Sequence, residues 1–369
     1  MIIKLLESNI TDETIYKINR FKEMYIGRHR NIPQFNWEYK DIPYQALFII
    51  MENENNLIGT QALLPNYLIV NSEKIYSAKS EETLLHPDCR GMGLFKKIYD
   101  YTLRLAQIQN INIIWGFTNA IKPFSNIGFT ICEPLSMFMY TMNINEIYKK
   151  MCNEQFKGTK YKILLKIKYI GLLYMRSVAI ISEHRNNNTN KGEYKINEVR
   201  LFNEDTDNLF DNFKKNYPEL ITLCRNHNYM NWRIIKNPYY NKKVLLLEVK
   251  KELVGYVAFS YKNINDALVI EDIIILKDHS EKGLHYLLTE VIKIAKDIKI
   301  NKIQYEMVIC NNLYSRNIVK IMKQIGFVAL PKYKSMKMII KIVNKNNITD
   351  NISKIDRWYI NTLFKEGTN

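Results

Sequence analysis

A glycine-containing turn at residues 86–98, HPDCRGMGLFKKI, has the composition of a loop that binds an anion. Gly91 and Gly93 permit positive φ angles and let a ligand approach the backbone closely. The apolar spacing that follows predicts a helix, whose first backbone N–H groups have no partners and whose dipole attracts negative charge. Arg90 and two lysines add positive charge nearby. The sequence therefore predicts a phosphate-binding turn.

Two other kinds of phosphate loop do not match this turn. A Walker loop requires Gly-Lys followed by Ser or Thr, and GMGLFKK contains no hydroxyl residue. A dinucleotide fingerprint requires a third glycine where Lys96 stands, and a first βαβ unit near the start of the chain. The spacing thus disfavours both nucleotide triphosphate hydrolysis and dinucleotide binding.

The elements around the turn are predicted from hydrophobic periodicity. A strand-like stretch at 75–85 runs directly into the turn. Residues 94–109 have helical spacing, and INIIWGF at 111–117 is typical of a buried strand. An irregular segment ends at Gly128, and the alternating stretch 136–144 predicts a closing strand.

The chain contains two copies of one segment. Landmark residues recur in the same order with offsets between 190 and 199 residues. The pairs are Asn36 and Asn231, Trp37 and Trp232, Pro43 and Pro238, Gly59 and Gly255, Gly93 and Gly283, Phe129 and Phe327, and Ser136 and Ser335. Because a shared order of this length is difficult to obtain by chance, a duplicated domain is predicted.

Both copies predict the same order of elements. In the first copy, upstream of the turn, these are a strand at 2–6, a helix that begins near Thr11, and strands at 47–51, 57–64 and 67–70. In the second copy, strands are expected near 194–202, 244–249, 253–260, 267–276, 303–309 and 335–343, and helices near 204–216, 284–298 and 315–324. Strands with helices between them predict an α/β fold in two tandem domains.

The chain is predicted to divide into a domain at 1–150, a basic helical linker at 151–192, a second, degenerate domain at 193–343 and a C-terminal tail at 344–369. The linker carries eight Lys/Arg against two Asp/Glu. Its lysines interrupt the apolar run well short of the roughly 18 uncharged residues that a membrane span needs. We expect a helix that bridges the domains, with peripheral contact to a membrane surface as the alternative.

Composition limits the partners and the compartment. The net charge of the chain is +16, but residues 1–150 contribute only +1, because 16 Lys/Arg are balanced by 15 Asp/Glu there. The sequence also contains none of the usual nucleic-acid-binding signatures. The five cysteines occur singly, without the spacing of a zinc site or a disulfide framework. The first residues do not have the apolar core of a signal peptide. We therefore expect no nucleic-acid partner, no metal and a cytoplasmic location.

A family resemblance rests on the turn, its helix, the strand 111–117, Asn119 and the NIGF sequence that ends at Phe129. This part of the chain resembles the GCN5-related N-acetyltransferase (GNAT) superfamily of acyl-CoA-dependent N-acyltransferases. The resemblance includes the Arg/Gln-x-x-Gly-x-Gly/Ala pyrophosphate loop, with Arg90 and Gly93 at its first and fourth places. The whole chain is similar to bacterial proteins with two such domains in tandem, down to WR…P in the second copy and DRWYINTL near the end. The resemblance implies two GNAT-like domains, each a mixed, mostly antiparallel sheet flanked by helices.

The resemblance also implies a co-substrate, acetyl-CoA or another short acyl-CoA. Backbone amides of the turn would hold the pyrophosphate, pantetheine would lie along the preceding strand, and a splay between strands 78–85 and 111–117 would admit the thioester. The implied cofactor-binding residues are Leu84, Leu85, Arg90, Gly91, Met92, Gly93, Leu94, Phe95 and Asn119. A small-molecule primary amine would attack the acyl carbonyl directly.

Such enzymes often keep a carboxylate base on the strand before the loop, where this chain has Glu81 and Glu82. Glu82 shares the alternating face of Leu84 and is therefore the preferred general base, acting through water. Two solvated strand carboxylates without a catalytic role are the alternative.

Two features depart from the family pattern. Phe95 stands where the loop usually has Gly or Ala, and we expect its ring to turn inward because Ile98 and Tyr99 lie three and four positions further along the helix. The family's frequent tyrosine acid has no counterpart, since NAIKPFSNIGF offers Phe124 instead. The proton for the leaving thiolate is therefore expected from another group or from solvent.

The second copy is predicted to be a poorer cofactor site. Its turn reads KDHSEKGLHYLL, which keeps Gly283 but has Ser280 in place of arginine and no neighbouring glycine. Glu271 and Asp272 retain the acids at the matching strand positions. We expect the first copy to bind acyl-CoA and the second to supply structure and part of the acceptor pocket.

The combined expectation is an acyl-CoA-dependent N-acyltransferase, in the first instance an N-acetyltransferase, that acts on a primary amine such as an amino sugar or sugar nucleotide. One alternative is a non-catalytic acyl-CoA-binding or membrane-associated protein. Another is an aminoacyl transferase of the peptidoglycan-branching (Fem) type, which shares the duplicated fold but uses charged tRNA. The nearly neutral first half disfavours tRNA.

Overall fold

The computed structural model describes residues 1–6, 10–153, 159–185, 193–262, 267–330, 336–345, 352 and 354–365. Fifteen strands lie within these ranges. They are β1 (Ile2–Leu5), β2 (Leu47–Asn53), β3 (Asn56–Val70), β4 (Glu73–Leu85), β5 (Ile113–Thr118), β6 (Thr130–Pro134), β7 (Ser136–Thr141), β8 (Lys195–Val199), β9 (Thr222–Leu223), β10 (Asn241–Val249), β11 (Glu252–Tyr261), β12 (Ala267–Ile275), β13 (Lys302–Met307), β14 (Val328–Ala329) and β15 (Lys337–Ile342).

The same ranges contain ten α-helices. They are α1 (Asp12–Ile26), α2 (Ile32–Tyr39), α3 (Leu94–Ile108), α4 (Ile121–Asn126), α5 (Ile144–Asn153), α6 (Thr159–Arg185), α7 (Glu204–Asn216), α8 (His227–Met230), α9 (Lys282–Asp297) and α10 (Leu313–Gln324). The predicted start of the first helix is confirmed, since the Thr11 hydroxyl accepts a hydrogen bond from the Thr14 N–H and two acids occupy the first turn.

The chain forms two compact units, and neither is one continuous segment. Unit 1 contains Met1–Pro134, Glu219–Pro238 and Met336–Trp358. Unit 2 contains Leu135–Pro218, Tyr239–Ser335 and Tyr359–Asn369. The units thus differ from the predicted ranges 1–150 and 193–343, and α6 of the predicted linker belongs to unit 2.

The sheets of the two units have the same topology. In unit 1 the strand order is β1-β2-β3-β4-β5-β15-β6, with β9 added beside β3. In unit 2 it is β8-β10-β11-β12-β13-β7-β14. One neighbouring pair in each sheet is parallel, β4 with β5 and β12 with β13, and the other pairs are antiparallel. This confirms the predicted mixed sheets flanked by helices.

Each sheet also contains the closing strand of the other sequence copy. β15 comes from the second copy and pairs with β5 and β6 of unit 1. β7 comes from the first copy and pairs with β13 and β14 of unit 2. Alternating apolar residues predicted both strands, but a period of two identifies a strand without identifying its partner.

The helix that follows the glycine turn packs its apolar face on the sheet of unit 1. Leu94, Ile98 and Tyr99 of α3 are buried in one cluster with Ala78 of β4 and Ile114 of β5. The face is built from positions three and four apart, so the predicted amphipathic helix is confirmed. Packing on both parallel strands holds the start of α3 close to the point where those strands end.

The tryptophans that the repeat analysis matched form a symmetric pair within unit 1. The Trp37 and Trp232 rings stack with centroids 5.4 Å apart. Each indole N–H donates to the backbone carbonyl of the other, at 2.8 Å and 2.7 Å. Both side chains are buried, as expected of core residues, and the reciprocal bonds satisfy both indole donors.

Candidate active site

The two parallel strands of unit 1 stop pairing before they end. Their register runs from Ser77 with Ile113 to Ser80 with Gly116. Past this point, among the described residues, β4 pairs with β3 alone and β5 with β15 alone. From this point the edges that the strands turn toward each other carry backbone groups that belong to no ladder between the two strands, as the predicted splay requires, and we call this region the opening.

The glycine turn connects this opening to α3. After a short 3-10 turn, Gly91 and Gly93 adopt left-handed φ angles of 80° and 72°. Gly93 is the N-cap residue of α3, and no side chain caps the helix there. A Cβ placed on either glycine would meet no protein atom within 4 Å, so the turn faces open space. Backbone donors without side-chain caps beside open space fit a phosphate group.

The residues of the turn separate into exposed and inward groups. Arg90 and Met92 are exposed, whereas Leu94 is buried in the core of unit 1. The Phe95 ring turns inward as predicted, with its centroid 4.8 Å from the Tyr99 ring and 5.1 Å from the Phe124 ring. Phe95 therefore does not crowd the outer side of the turn.

The other predicted cofactor-binding residues lie on the two edges of the opening. Leu84 pairs with Thr60 on β3 and is partly buried. Leu85 packs against the apolar cluster under α3. Asn119 follows the last residue of β5 and is exposed. The structure thus brings these residues together at one end of the sheet, and their role as ligands stays a prediction.

A buried network of hydroxyl groups lies where β4 and β5 part. The Tyr99 hydroxyl is 2.8 Å from the Ser80 Oγ and 2.9 Å from the Thr83 Oγ1. Gln61 accepts hydrogen bonds from Tyr99 and Thr83 through its side-chain oxygen. Burial raises the pKa of Tyr99, so this phenol stays protonated at neutral pH.

From the sequence, Tyr99 was named only as a helical neighbour of Phe95, and a role for its hydroxyl was not predicted. The signal was present in the polar side chains of Gln61 and Ser80, which interrupt strands that are otherwise buried. Buried polar groups require partners, and such partners frequently come from a neighbouring helix. The network fixes the geometry of β4 at the start of the opening.

Glu82 occupies a bulge in β4. Thr60 pairs with Leu84 while Ala62 pairs with Glu81, so one residue of β3 opposes two of β4. Glu82 takes a φ of 56°, which is unusual for a residue with a side chain. The bulge directs its carboxylate away from the hydroxyl network.

Three side chains from α1, α2 and the segment between them bind this carboxylate, and a fourth binds one of the three. Arg30 binds it through both terminal nitrogens, at 2.9 Å and 3.3 Å, and the Tyr39 hydroxyl donates at 2.9 Å. Lys22 also donates to it, and Glu38 pairs with Arg30 at 2.6 Å. The Glu82 side chain is 3% exposed. We call this group of five residues the buried ion cluster.

The ion cluster keeps Glu82 ionised. Burial alone would raise the pKa of its carboxyl, but the charges of Arg30 and Lys22, with hydrogen bonds from Lys22 and Tyr39, lower the pKa to about 2. A carboxylate of such low basicity, closed off from water and engaged by three donors, is a weak general base. The geometry therefore argues for a structural role of Glu82 and against the predicted role in proton transfer.

Glu81, the second predicted base, lies on the other side of the bulge. Its carboxylate forms an ion pair with Lys79, and the side chain is largely buried. The Lys79 ammonium in turn lies 5.8 Å from the centre of the Trp115 ring. Like Glu82, Glu81 is thus ion-paired and little exposed, and its role as a base stays a prediction.

The segment before Phe129 supplies no tyrosine to the opening, as the sequence indicated. Phe124 of α4 is buried, and its ring packs against Tyr99 and Phe129. Within the part of the chain that the structure describes, no group of three or more His, Cys, Asp and Glu side chains is placed to hold a metal ion.

The equivalent turn of unit 2 is built differently. α9 begins at Lys282, one residue before Gly283, and its N-cap residue Glu281 is acidic and right-handed. A Cβ on Gly283 would lie 2.9 Å from a Leu247 side-chain carbon and 3.2 Å from the His279 Cβ. Gly283 thus serves close packing rather than an open turn.

The opening of unit 2 is occupied by the protein's own C-terminal segment. The parallel pair ends at Ile270 with Tyr305, in the same way as in unit 1. Beyond it, residues 359–362 lie against both strands. On the β13 side, the Val308 N–H donates to the Ile360 carbonyl at 2.9 Å.

On the β12 side the segment is held by side chains. The Asn361 amide donates to one oxygen of Asp272 at 2.6 Å, and the Tyr256 hydroxyl donates to the other at 2.6 Å. The Tyr359 hydroxyl donates to the Ile273 carbonyl at 2.8 Å. In unit 2 the C-terminal segment therefore occupies the strand edges that pantetheine would contact. The sequence patterns did not predict this occupation.

No family model and no curated protein matches the sequence. Solved structures match at low identity. The GCN5-related N-acetyltransferase from Anabaena variabilis is 14% identical, with a TM-score of 0.60, over 93% of this chain and 73% of that protein. A tandem GNAT protein from the clavulanic acid biosynthesis pathway is 9% identical, with a TM-score of 0.56, over 94% of this chain and 99% of that protein.

A third match is the N-myristoyltransferase of Saccharomyces cerevisiae with bound myristoyl-CoA. It is 11% identical, with a TM-score of 0.55, over 94% of this chain and 83% of that protein. At these identities the matches establish the fold. The predicted tandem GNAT fold is confirmed.

Proposed function

We propose that this chain, which has the fold of the GCN5-related N-acetyltransferases in tandem, is an acyl-CoA-dependent N-acyltransferase with one acyl-CoA site, in unit 1. One observation carries the proposal. In unit 1 the strand opening leads to an uncapped helix start beside open space, whereas in unit 2 the C-terminal segment fills the opening.

The binding residues follow from this geometry. The N–H groups from Gly91 to Phe95 would hold the pyrophosphate of coenzyme A, with Arg90 adding charge from the exposed side. Unpaired backbone groups of β4 near Leu84 would hydrogen-bond the pantetheine amides. Acyl-CoA supplies an activated acyl group as a thioester, and the site is proposed to accept acetyl-CoA.

The protein's contribution to the reaction is to position the acyl carbonyl and a neutral amine together. The amine nitrogen forms a bond to the acyl carbon, the carbon–sulfur bond breaks, and the nucleophile loses one proton. Unpaired N–H groups at the opening would stabilise negative charge on the carbonyl oxygen. Glu81 is proposed to accept the proton from the amine through water, because Glu82 is held in the ion cluster, and coenzyme A leaves as the thiolate and takes up a proton from solvent.

The acceptor is proposed to be a small-molecule primary amine, such as an amino sugar or sugar nucleotide. Calorimetric titration with acetyl-CoA is expected to give one binding site per chain. Release of free thiol should then depend on the amine when a panel of primary amines is supplied. Two sites per chain would contradict the conclusion that the C-terminal segment blocks acyl-CoA binding in unit 2. Binding without turnover of any amine in the panel would indicate a non-catalytic acyl-CoA-binding protein.

A further inference from the structure

The longest helix of the described chain exposes large apolar side chains along its length. In α6, Ile167 is 60% exposed, Ile170 65%, Tyr174 63% and Ile181 52%. Leu173 and Ile180 are exposed to a lesser extent. Single exposed apolar residues are ordinary on protein surfaces, but six on one helix form a patch of the kind that binds a partner.

The spacing places the four most exposed residues in one stripe. At about 100° per residue, Ile167, Ile170, Tyr174 and Ile181 fall within about 60° of each other around the helix axis. The opposite side of α6 is buried against unit 2 through Leu172, Met175, Ala179 and Ser182. The helix is thus apolar on both its packed and its exposed sides.

Positive charge accompanies the stripe. Lys160, Lys162, Lys166 and Lys168 occur within the first ten residues of α6. Of these, Lys166 and Lys168 have described side chains, and both are exposed. At about 100° per residue, Lys166 lies about 70° from the middle of the stripe, whereas Lys168 falls at the angle of the packed residues. We call the beginning of the stripe, with Lys166 beside it, the lysine end.

No acidic side chain of α6 balances the lysine end. Glu183 is the single acid between Thr159 and Arg185 in the sequence. Its carboxylate is already engaged by Arg176 at 3.2 Å, by Lys296 at 3.0 Å and by the Tyr140 hydroxyl at 2.5 Å. The exposed side of α6 consequently combines apolar surface with positive charge.

We propose that the exposed side of α6 binds an anionic lipid surface, with the helix lying in the plane of the interface. The apolar stripe would enter the boundary between headgroups and acyl chains, and Lys166 would contact lipid phosphates. Tyr174 suits this depth because its ring is apolar and its hydroxyl is polar. No helix in the described part of the chain is long and apolar enough to cross a membrane, so this contact is a peripheral one.

A second copy of the chain fits the same surface less well. Parallel pairing of two α6 helices would bring the two lysine ends together. Antiparallel pairing would place each lysine end near Glu183, the single acid of α6, which is already engaged. Neither arrangement supplies a free acidic partner from α6, whereas an anionic surface neutralises the lysine end.

Co-sedimentation of the full chain with lipid vesicles tests the proposal. The protein should pellet with mixed phosphatidylcholine–phosphatidylglycerol vesicles, weakly or not at all with pure phosphatidylcholine, and less as salt increases. Replacing Lys166 by glutamine should lower the partition coefficient by about fivefold, since a lysine near an anionic surface contributes about 1 kcal/mol. Replacing Ile170 and Tyr174 by serine should lower it by at least as much.

Two variants serve as matched controls. Lys250→Gln removes the same charge from an exposed turn of unit 2, and Tyr16→Ser with Met24→Ser removes exposed apolar area from α1. Both should pellet like the unaltered protein, and unchanged thermal unfolding would show that all variants fold. Absence of binding to anionic vesicles, or equal losses in test and control variants, would overturn the proposal. So would a dimer in sedimentation velocity that the Ile170 and Tyr174 variant abolishes.

Discussion

Replacing Glu82 by glutamine is expected to lower the free energy of unfolding by about 3–5 kcal/mol, because the buried Arg30 and Lys22 lose the carboxylate that compensates their charge. Urea unfolding at neutral pH measures the loss. Glu52→Gln is the matched control, since the Glu52 ion pair with Lys4 is more exposed and its removal should cost less than about 1 kcal/mol.

The pH dependence of the free energy of unfolding is a second measurement that tests the structural role of Glu82. The pKa of Glu82 is about 2 in the folded protein and 4.5 ordinarily. Because folding lowers this pKa, the contribution is fully present above pH 4.5 and disappears as the pH falls toward 2. The unaltered protein should therefore lose stability across this window more steeply than the Glu82→Gln variant.

The alternative role of Glu82 predicts a different outcome. If Glu82 were the general base, Glu82→Gln would abolish amine-dependent thiol release while leaving urea unfolding almost unchanged. Under the structural role, activity should instead persist in whatever fraction of the variant remains folded. Turnover measured at low temperature, where that fraction is largest, separates the two.

Replacing Gly93 by leucine is expected to weaken acetyl-CoA binding roughly 10- to 100-fold, the loss of about one hydrogen bond to a charged group. The leucine side chain would occupy the open space beside the turn, and the left-handed φ of 72° would no longer be favourable. Calorimetric titration measures the change.

Gly27→Leu is the matched control for backbone strain. Gly27 has a φ of 71° at the end of α1, and a Cβ there also meets no protein atom within 4 Å. Both substitutions should therefore cost a similar amount of stability, about 1–2 kcal/mol. If the affinity for acetyl-CoA falls equally in both variants, or falls in neither, the proposed position of the pyrophosphate at the Gly93 turn is contradicted.

Local patterns in the sequence were sufficient to predict much of unit 1's site. The helical period after Gly93 and the apolar run into the turn identified α3 and β4, because both signals depend on neighbouring residues. The two glycines marked the turn through their backbone freedom. The inward Phe95 followed from its spacing to Tyr99 on the same helix.

One local signal was available and was not used. α2 begins at Ile32 after a capping box in which Asn31 and Gln34 satisfy each other's backbone N–H groups, with a proline in the first turn. This stretch contains the repeat landmarks Asn36 and Trp37, and a helix start was not predicted there. α2 matters to the site because it contributes Tyr39 to the ion cluster.

Other features depend on contacts between distant parts of the chain. Lys22 and Arg30 precede Glu82 by 60 and 52 residues, so no spacing rule could show that they surround it. The bulge at Glu82 likewise depends on the register of β4 with β3. The C-terminal segment and the exchanged strands β7 and β15 are also long-range pairings, which residue patterns do not specify.

A crystal structure of the protein grown with acetyl-CoA tests the central claim most directly. The account predicts one bound molecule, with its diphosphate within hydrogen-bonding distance of the amide nitrogens between Gly91 and Phe95 and its pantetheine between β4 and β5. A diphosphate bound at the start of α9, or acetyl-CoA located away from the end of β4, would contradict it.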